Sequence, residues 1–242
     1  MAETGRDRKG GDDATPHLGV LMLDTRFPRL RGDIGNPASF ACPVSYHRVP
    51  SATVARIATA GAHPLPAALA DAFVGGTYAL VARGATHIST SCGFLLPLQD
   101  RLAREAGRPV VASALTLLPV LRAQYGPDAV IGVVTFDADA LEHMALDDLQ
   151  PLAVAGLDRT GTLYRAIRED LDRLDEAEAR REAVAAALAL ARQTPRPAAL
   201  VLECTNLSPY RGAIAHATGL PVHDIATAIA RAMGVPVSQL AS

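Results

Sequence analysis

Two stretches decide the fold when they are set side by side: residues 86–111, THISTSCGFLLPLQDRLAREAGRPVV, and residues 198–222, AALVLECTNLSPYRGAIAHATGLPV. Each opens on a short β-prone run, reaches a cysteine, and returns to a second β-prone run. Counted from Cys92, Pro97 stands at +5, Gly107 at +15, Pro109 at +17 and Val110 at +18. Counted from Cys204, Pro209, Gly219, Pro221 and Val222 occupy the same four offsets. Proline in the first helical turn, glycine just past the helix end and a β-rich return are what a strand–cysteine–helix–strand unit needs. The pattern extends upstream. Gly19-Val20 and then Asp24 precede Cys92, and Gly132-Val133 and then Asp137 precede Cys204, with Asp24 68 residues and Asp137 67 residues ahead of its cysteine. The chain therefore reads as two similar halves.

Outward from these units, short apolar runs alternate with alanine-rich amphipathic stretches, which predicts an α/β fold around mostly parallel sheet. Strands are expected over 18–23, 86–90, 109–112, 129–135, 152–155, 198–203 and 221–223, with helices between them. The charge spacing over 162–192 predicts one long or once-broken helix with a solvated face, part of the scaffold. Residues 27–50, with Pro28, Pro37, Pro43, Gly32 and Gly35, are expected to form a long irregular loop, and loops of that length are often functional lids.

Composition sets outer bounds on function. The chain has 242 residues, 49% hydrophobic and 20% charged, as in a soluble globular protein. No apolar run approaches the roughly 18 residues of a membrane span, residues 1–16 read as a disordered polar leader, and a cytoplasmic protein without a membrane partner is expected. A net charge of −2 and 4% aromatics argue against nucleic acid. All basic residues but Lys9 are arginine, so neither a Schiff-base lysine nor a Walker loop can be built in the folded part. The three cysteines, Cys42, Cys92 and Cys204, lack metal-ligand or disulfide spacing. No metal and no cofactor is expected.

Each repeat cysteine follows a strand and precedes a helix start, the edge where parallel sheets bind ligands. A helix dipole contributes up to about 2 kcal/mol there, which predicts a thiol pKa lowered by roughly one to one and a half units. Across a shared cleft, Cys92 and Cys204 would act as opposed acid and base on a carbon next to a carboxylate. Ser91, Gly93, Thr205 and Asn206 are candidates to neutralise the carboxylate and the enediolate-like charge.

Ser91-Cys92-Gly93 and Leu202-Glu203-Cys204-Thr205-Asn206, each after an apolar strand, together with the 112-residue separation and the Asp-bearing strand ends, resemble the aspartate/glutamate racemase superfamily. That superfamily includes amino-acid and hydantoin racemases, maleate isomerases and arylmalonate decarboxylases. The resemblance covers residues 17–242. It implies two pseudo-symmetric Rossmann-like domains, 17–115 plus 225–242 and 116–224, with the active site between them, and a dimer or larger homo-oligomer. It maps the catalytic cysteines onto Cys92 and Cys204, a substrate-contacting threonine onto Thr205, and the first strand-end loop onto Asp24 and Thr25. Glutamate racemases carry Cys-Asn-Thr and Cys-Thr-His where this chain has Cys92-Gly93-Phe94 and Cys204-Thr205-Asn206. Phe94 and the loop bearing Arg26, Asn36 and Phe40 then admit a different acid or a cyclic substrate.

Single residues keep their alternatives. Asp24 binds a substrate ammonium or caps a turn, Arg26 grips a carboxylate or lies on the surface, and Thr135 lines the cleft or ends a strand. Cys42 is read as structural, and His223-Asp224 as an ordinary hydrogen-bonded pair. The expected function is a cofactor-independent racemase or epimerase of a small carboxylate-bearing substrate, an isomerase. The alternatives are a maleate-type cis–trans isomerase or decarboxylase, and a catalytically silent small-molecule binding protein.

Overall fold

The computed structural model describes residues 15–58, 64–144, 146 and 151–240. The leader expected over 1–16 lies outside these residues but for its last two, and so does Lys9. Among the described residues the strands are β1 (Leu18–Met22), β2 (Val44–Arg48), β3 (His87–Thr90), β4 (Val110–Val111), β5 (Ile131–Thr135), β6 (Leu152–Gly156), β7 (Ala199–Leu202) and β8 (Val222–His223). The helices are α1 (Val54–Ala58), α2 (Ala67–Ala82), α3 (Gln99–Ala106), α4 (Leu118–Tyr125), α5 (Ala138–Glu142), α6 (Thr162–Arg168), α7 (Glu176–Ala191), α8 (Arg211–Thr218), α9 (Ile225–Met233) and α10 (Val237–Leu240).

The strands make two four-stranded parallel sheets of the same order, β2-β1-β3-β4 and β6-β5-β7-β8. The central strands β1, β3, β5 and β7 are almost wholly buried, as near-continuous apolar runs in helix-covered parallel sheets must be. In each sheet the chain leaves the central pair in opposite directions, to β2 or β4 and to β6 or β8. The topological switch point therefore lies at the carboxyl ends of β1 and β3, and of β5 and β7, where a crevice opens.

The repeat extends to individual hydrogen bonds. Ser91 N–H donates to Leu21 O as Glu203 N–H donates to Val134 O, at 3.0 and 2.9 Å. Gly107 and Gly219 both take left-handed φ, 57° and 65°, to cap α3 and α8. α9 crosses back to pack on β3 and β4 of the first sheet.

Two expectations need correction. The segment 27–50 is not irregular throughout: a 3-10 turn, Pro37–Ser39, and strand β2 lie inside it. β2 is an edge strand, half-buried with alternating polar residues, so it lacks the apolar run that marks the central strands, and its flanking prolines hide it. The helices after the cysteines are also different. Each cysteine is followed by a six-residue 3-10 turn, Gly93–Leu98 or Thr205–Tyr210, with α3 and α8 beginning only afterwards. The 162–192 segment is broken once, between α6 and α7.

Candidate active site

Cys92 and Cys204 line one small cavity at the switch point, with Ser91, Gly93, Phe94, Glu203, Asn206, Leu23, Val54, Phe136 and Ile167. The first strand, the two cysteine turns, α1, α6 and the end of β5 thus all contribute walls. The two halves are stitched beside the sulfurs: Thr205 Oγ1 donates to Ser91 O at 2.9 Å. Each thiol faces the backbone N–H two residues on, Phe94 for Cys92 and Asn206 for Cys204.

The residue before each cysteine occupies an equivalent place but carries different chemistry. Ser91 Oγ accepts from Leu23 N–H at 2.9 Å. Its counterpart Glu203 accepts from Thr135 Oγ1 at 2.8 Å through Oε2 and from the backbone N–H of Phe136. Glu203 is only 1% exposed, and its other oxygen, Oε1, has no hydrogen-bond partner among the described residues. A Cβ on Gly93 would lie 2.2 Å from that Oε1 and 2.5 Å from the Glu203 carbonyl oxygen. Position 93 therefore has no room for an asparagine: the Glu203 carboxylate and the Glu203 backbone carbonyl both stand where a Cβ would go.

Burial pushes the Glu203 carboxyl up from 4.5 to about 7, against the hydrogen bonds from Thr135 and Phe136. The same burial, reinforced by the Glu203 charge, pushes the Cys92 thiol up to about 12 and raises Cys204 well above its ordinary value. The expected lowering of the thiol pKa is thus reversed in the free protein. A dipole term of about 2 kcal/mol cannot offset desolvation plus a neighbouring carboxylate, and the first α-helical turn begins seven residues after each cysteine.

Because the folded carboxyl holds its proton to higher pH than the unfolded one, the Glu203 contribution to stability declines as pH rises from about 4.5 to about 7 and is level above. Glu203→Gln is expected to be more stable than wild type by on the order of 3 kcal/mol near pH 8 and similar near pH 4. Urea titrations of both proteins at the two pH values check this.

The other sequence candidates are distributed differently from the lining. Thr25 is buried and accepts from Arg29 Nη2 at 3.0 Å. Asp24 accepts from the Ser51 N–H at 3.1 Å and pairs with Arg48, capping a turn outside the cavity. Arg26 is 77% exposed and reaches Asp170, away from the cavity. Asn36 holds the loop, donating to Arg29 O at 2.8 Å and accepting from the Ala38 N–H, and Phe40 is core. Thr135 serves the site through Glu203. Cys42 is half-buried and not in the lining. His223 Nε2 is buried with no hydrogen-bond partner among the described residues, rather than in the pair expected with Asp224, whose carboxylate caps α9.

Several site residues escaped the sequence reading. Glu203 was visible as an acid ending the apolar run Ala198 to Leu202. Arg29, not Arg26, is the cation near the thiols. It stacks on Phe27 at 4.2 Å and pairs with Asp33 at 3.2 Å. Asp33 in turn accepts from Asn206 Nδ2 at 2.5 Å, and Asn206 Oδ1 accepts from the Cys204 thiol at 3.5 Å. Nothing in the spacing of arginines distinguishes Arg29 from its neighbours. Among the described residues no group of three or more His, Cys, Asp or Glu is placed to hold a metal ion, and no helix is long and apolar enough to cross a membrane.

The loop is pinned over the cleft from the opposite half. Asp170, at φ 54°, accepts from the backbone N–H groups of Arg26 and Phe27 at 2.5 and 3.1 Å. Asp170→Ala is expected to lower stability by about 1–2 kcal/mol by orphaning both donors and placing alanine at a left-handed φ. Asp170→Asn, which tolerates that φ, is expected to lose less, as denaturant titration will read.

Solved structures with the same architecture include arylmalonate decarboxylase (TM-score 0.58, 16% identity, 91% of this chain and 92% of that one). Nocardia farcinica maleate cis-trans isomerase aligns at a TM-score of 0.57 with 17% identity over 92% and 94% of the two chains. Allantoin racemase from Pseudomonas fluorescens gives 0.56 and 15% over 91% and 93%. The fold is that of the aspartate/glutamate racemase superfamily.

Sequence comparison narrows this. A dimethylsulfoniopropionate lyase of Durusdinium sp. clade D is 30% identical over 220 residues, 86% of this chain and 70% of that protein. Dimethylsulfoniopropionate lyase 5 of Emiliania huxleyi (strain CCMP1516) is 30% identical over 230 residues, 89% of this chain and 44% of its own length. Lyase 7 of the same strain is 30% identical over 226 residues, 88% and 64%. The chain belongs to the dimethylsulfoniopropionate lyase family, and it spans 44% to 70% of the length of these three relatives. No protein-family model matches it. Its relatives are named for a lyase reaction, not for the racemisation expected from the superfamily resemblance.

Proposed function

We propose that this chain is a cofactor-independent lyase that cleaves dimethylsulfoniopropionate, or a near β-onium propionate, by removing a proton next to the carboxylate. The observation that carries the reading is the lining of the cavity: two thiols and a buried carboxyl among apolar side chains, with no basic residue among the described lining residues. A dicarboxylate such as a malonate, maleate or aspartate would bring a second negative charge against Glu203. A zwitterion with a sulfonium brings a compensating positive one.

In the proposed step a cysteine thiolate takes the Cα proton. The C–H electron pair becomes the Cα–Cβ double bond, the Cβ–S bond breaks with its pair on sulfur, and dimethyl sulfide and acrylate leave. The thiol then loses its proton to solvent. The leaving group departs neutral and needs no acid, so one base suffices. Ser91 and the first amides of the two cysteine turns are assigned to the substrate carboxylate, where charge grows in the transition state.

The raised thiols fit this order of events. Ionising Cys92 near pH 8 from a pKa of about 12 costs about 5 kcal/mol. A unit cation about 4 Å away, at an effective dielectric near 20, returns about 4 kcal/mol. The base is thus generated by the substrate that needs it, and the free protein keeps both thiols protonated.

The test is product analysis by proton NMR in deuterium oxide. Incubation with dimethylsulfoniopropionate is expected to yield acrylate and dimethyl sulfide in equal amounts. The superfamily alternative, racemisation, predicts deuterium at Cα of an amino or hydroxy acid with no loss of substrate, and finding only that would overturn the lyase reading.

A further inference from the structure

We infer that the carboxylate of Glu203 is the recognition element for the onium group of the substrate, seated in an aromatic pocket that Gly93 keeps open for it. The inference rests on the lyase reading above and adds to it a specificity-determining residue and the class of ligand it selects, a β-onium carboxylic acid.

Three independent features converge on it. Glu203 lines the cavity but is buried and holds only one of its oxygens in hydrogen bonds, leaving Oε1 packed against Gly93 with no hydrogen-bond partner among the described residues. Buried acceptors are nearly always satisfied, and an exception points to a missing partner. The walls around it include two aromatic rings, Phe94 and Phe136, and Phe136 is held in place by a 4.5 Å stack on Tyr164. Methylated onium cations, which offer no N–H donor, are recognised by carboxylate charge and aromatic faces. Third, the only side chain small enough for position 93 is present: any Cβ would collide with Oε1 and with the Glu203 backbone.

The ionisable groups facing Glu203 are few. Cys92 and Cys204 are held protonated in part by its charge, Thr135 and the Phe136 N–H hold Oε2, and the Arg29–Asp33 pair joins the site through the Asn206 side chain. A bound cation therefore acts on three titrating groups together, drawing Glu203 to its anionic form and lowering both thiols.

The experiment compares two unreactive acids of the same shape by isothermal titration calorimetry. One is β-alanine betaine, which carries a trimethylammonium group. The other is its carbon isostere, in which a tert-butyl group replaces that cation. Wild-type protein near pH 8 is expected to bind the betaine at least about tenfold more tightly, with protons released on binding when buffers of different ionisation enthalpy are compared. Near pH 5.5 the preference should shrink several-fold, a comparison that needs no variant. Glu203→Gln is expected to bind both acids with nearly equal affinity. Equal affinities in the wild type near pH 8, or an undiminished preference in Glu203→Gln that melts cooperatively and no lower than the wild type, would overturn the inference. Both readouts work without turnover. A protein that prefers the betaine but makes no dimethyl sulfide refutes the lyase reading alone, and one that makes dimethyl sulfide without any preference refutes the role of Glu203 alone.

Discussion

Alanine at one of the two cavity cysteines is expected to lower turnover of dimethylsulfoniopropionate by about a thousandfold or more, while alanine at the other leaves a measurable residue. A positioned general base contributes about 10² to 10⁴ in rate, and no other side chain in the described lining matches a thiolate as a base except Glu203. Elimination to a neutral leaving group takes one base on one face, so the cysteines need not be equivalent even though they stand at equivalent places in the repeat. Their surroundings already differ: Arg29 favours the Cys92 thiolate, whereas Asp33 opposes that of Cys204. Steady-state rates of the two single variants check this. Equal and complete loss in both would instead mark the acid–base pair of a racemase.

Gly93→Ala carries the second large effect. The added methyl would meet a carboxylate oxygen at 2.2 Å and a backbone oxygen at 2.5 Å, distances that real Cβ atoms do not show. The turn after Cys92 must shift, and with it the sulfur and Phe94. Overpacking of this kind costs typically about 1–3 kcal/mol, and a misplacement of about 1 Å at a reacting group costs about 10²-fold in rate. Gly93→Ala is expected to show both losses. Truncating the other partner, in Gly93→Ala/Glu203→Gly, removes the nearer clash but not the backbone one, so stability should recover only in part. Thermal melts of the single and double variants, read beside their turnover, check the coupling.

The halves were legible in the chain because parallel central strands are buried on both faces and so appear as unbroken apolar runs, and because proline and glycine punctuate the ends of α3 and α8 at fixed offsets from each cysteine. The same logic fails at β2, an edge strand with one wet face and proline on either side. At the site, the cysteines and the polar residues next to them could be picked out because strand ends in parallel sheets carry chemistry. The electrostatics could not. Whether a thiol at a strand end is lowered or raised depends on how deeply it is buried and on what stands beside it, and Glu203 reaches its position through folding of the second sheet against the first cysteine turn. Arg26 and Arg29 are alike in sequence, and only the path of the loop turns Arg29 inward to Thr25 and Asp33 and leaves Arg26 in solvent beside Asp170.

The central claim is that thiols in this one cavity perform the cleavage. It is tested most directly by measuring headspace dimethyl sulfide from wild type and from Cys92→Ala/Cys204→Ala, both verified as folded by circular dichroism. Sustained release is expected from the wild type, and none above the uncatalysed rate from the double variant. Undiminished release from the folded double variant would contradict it.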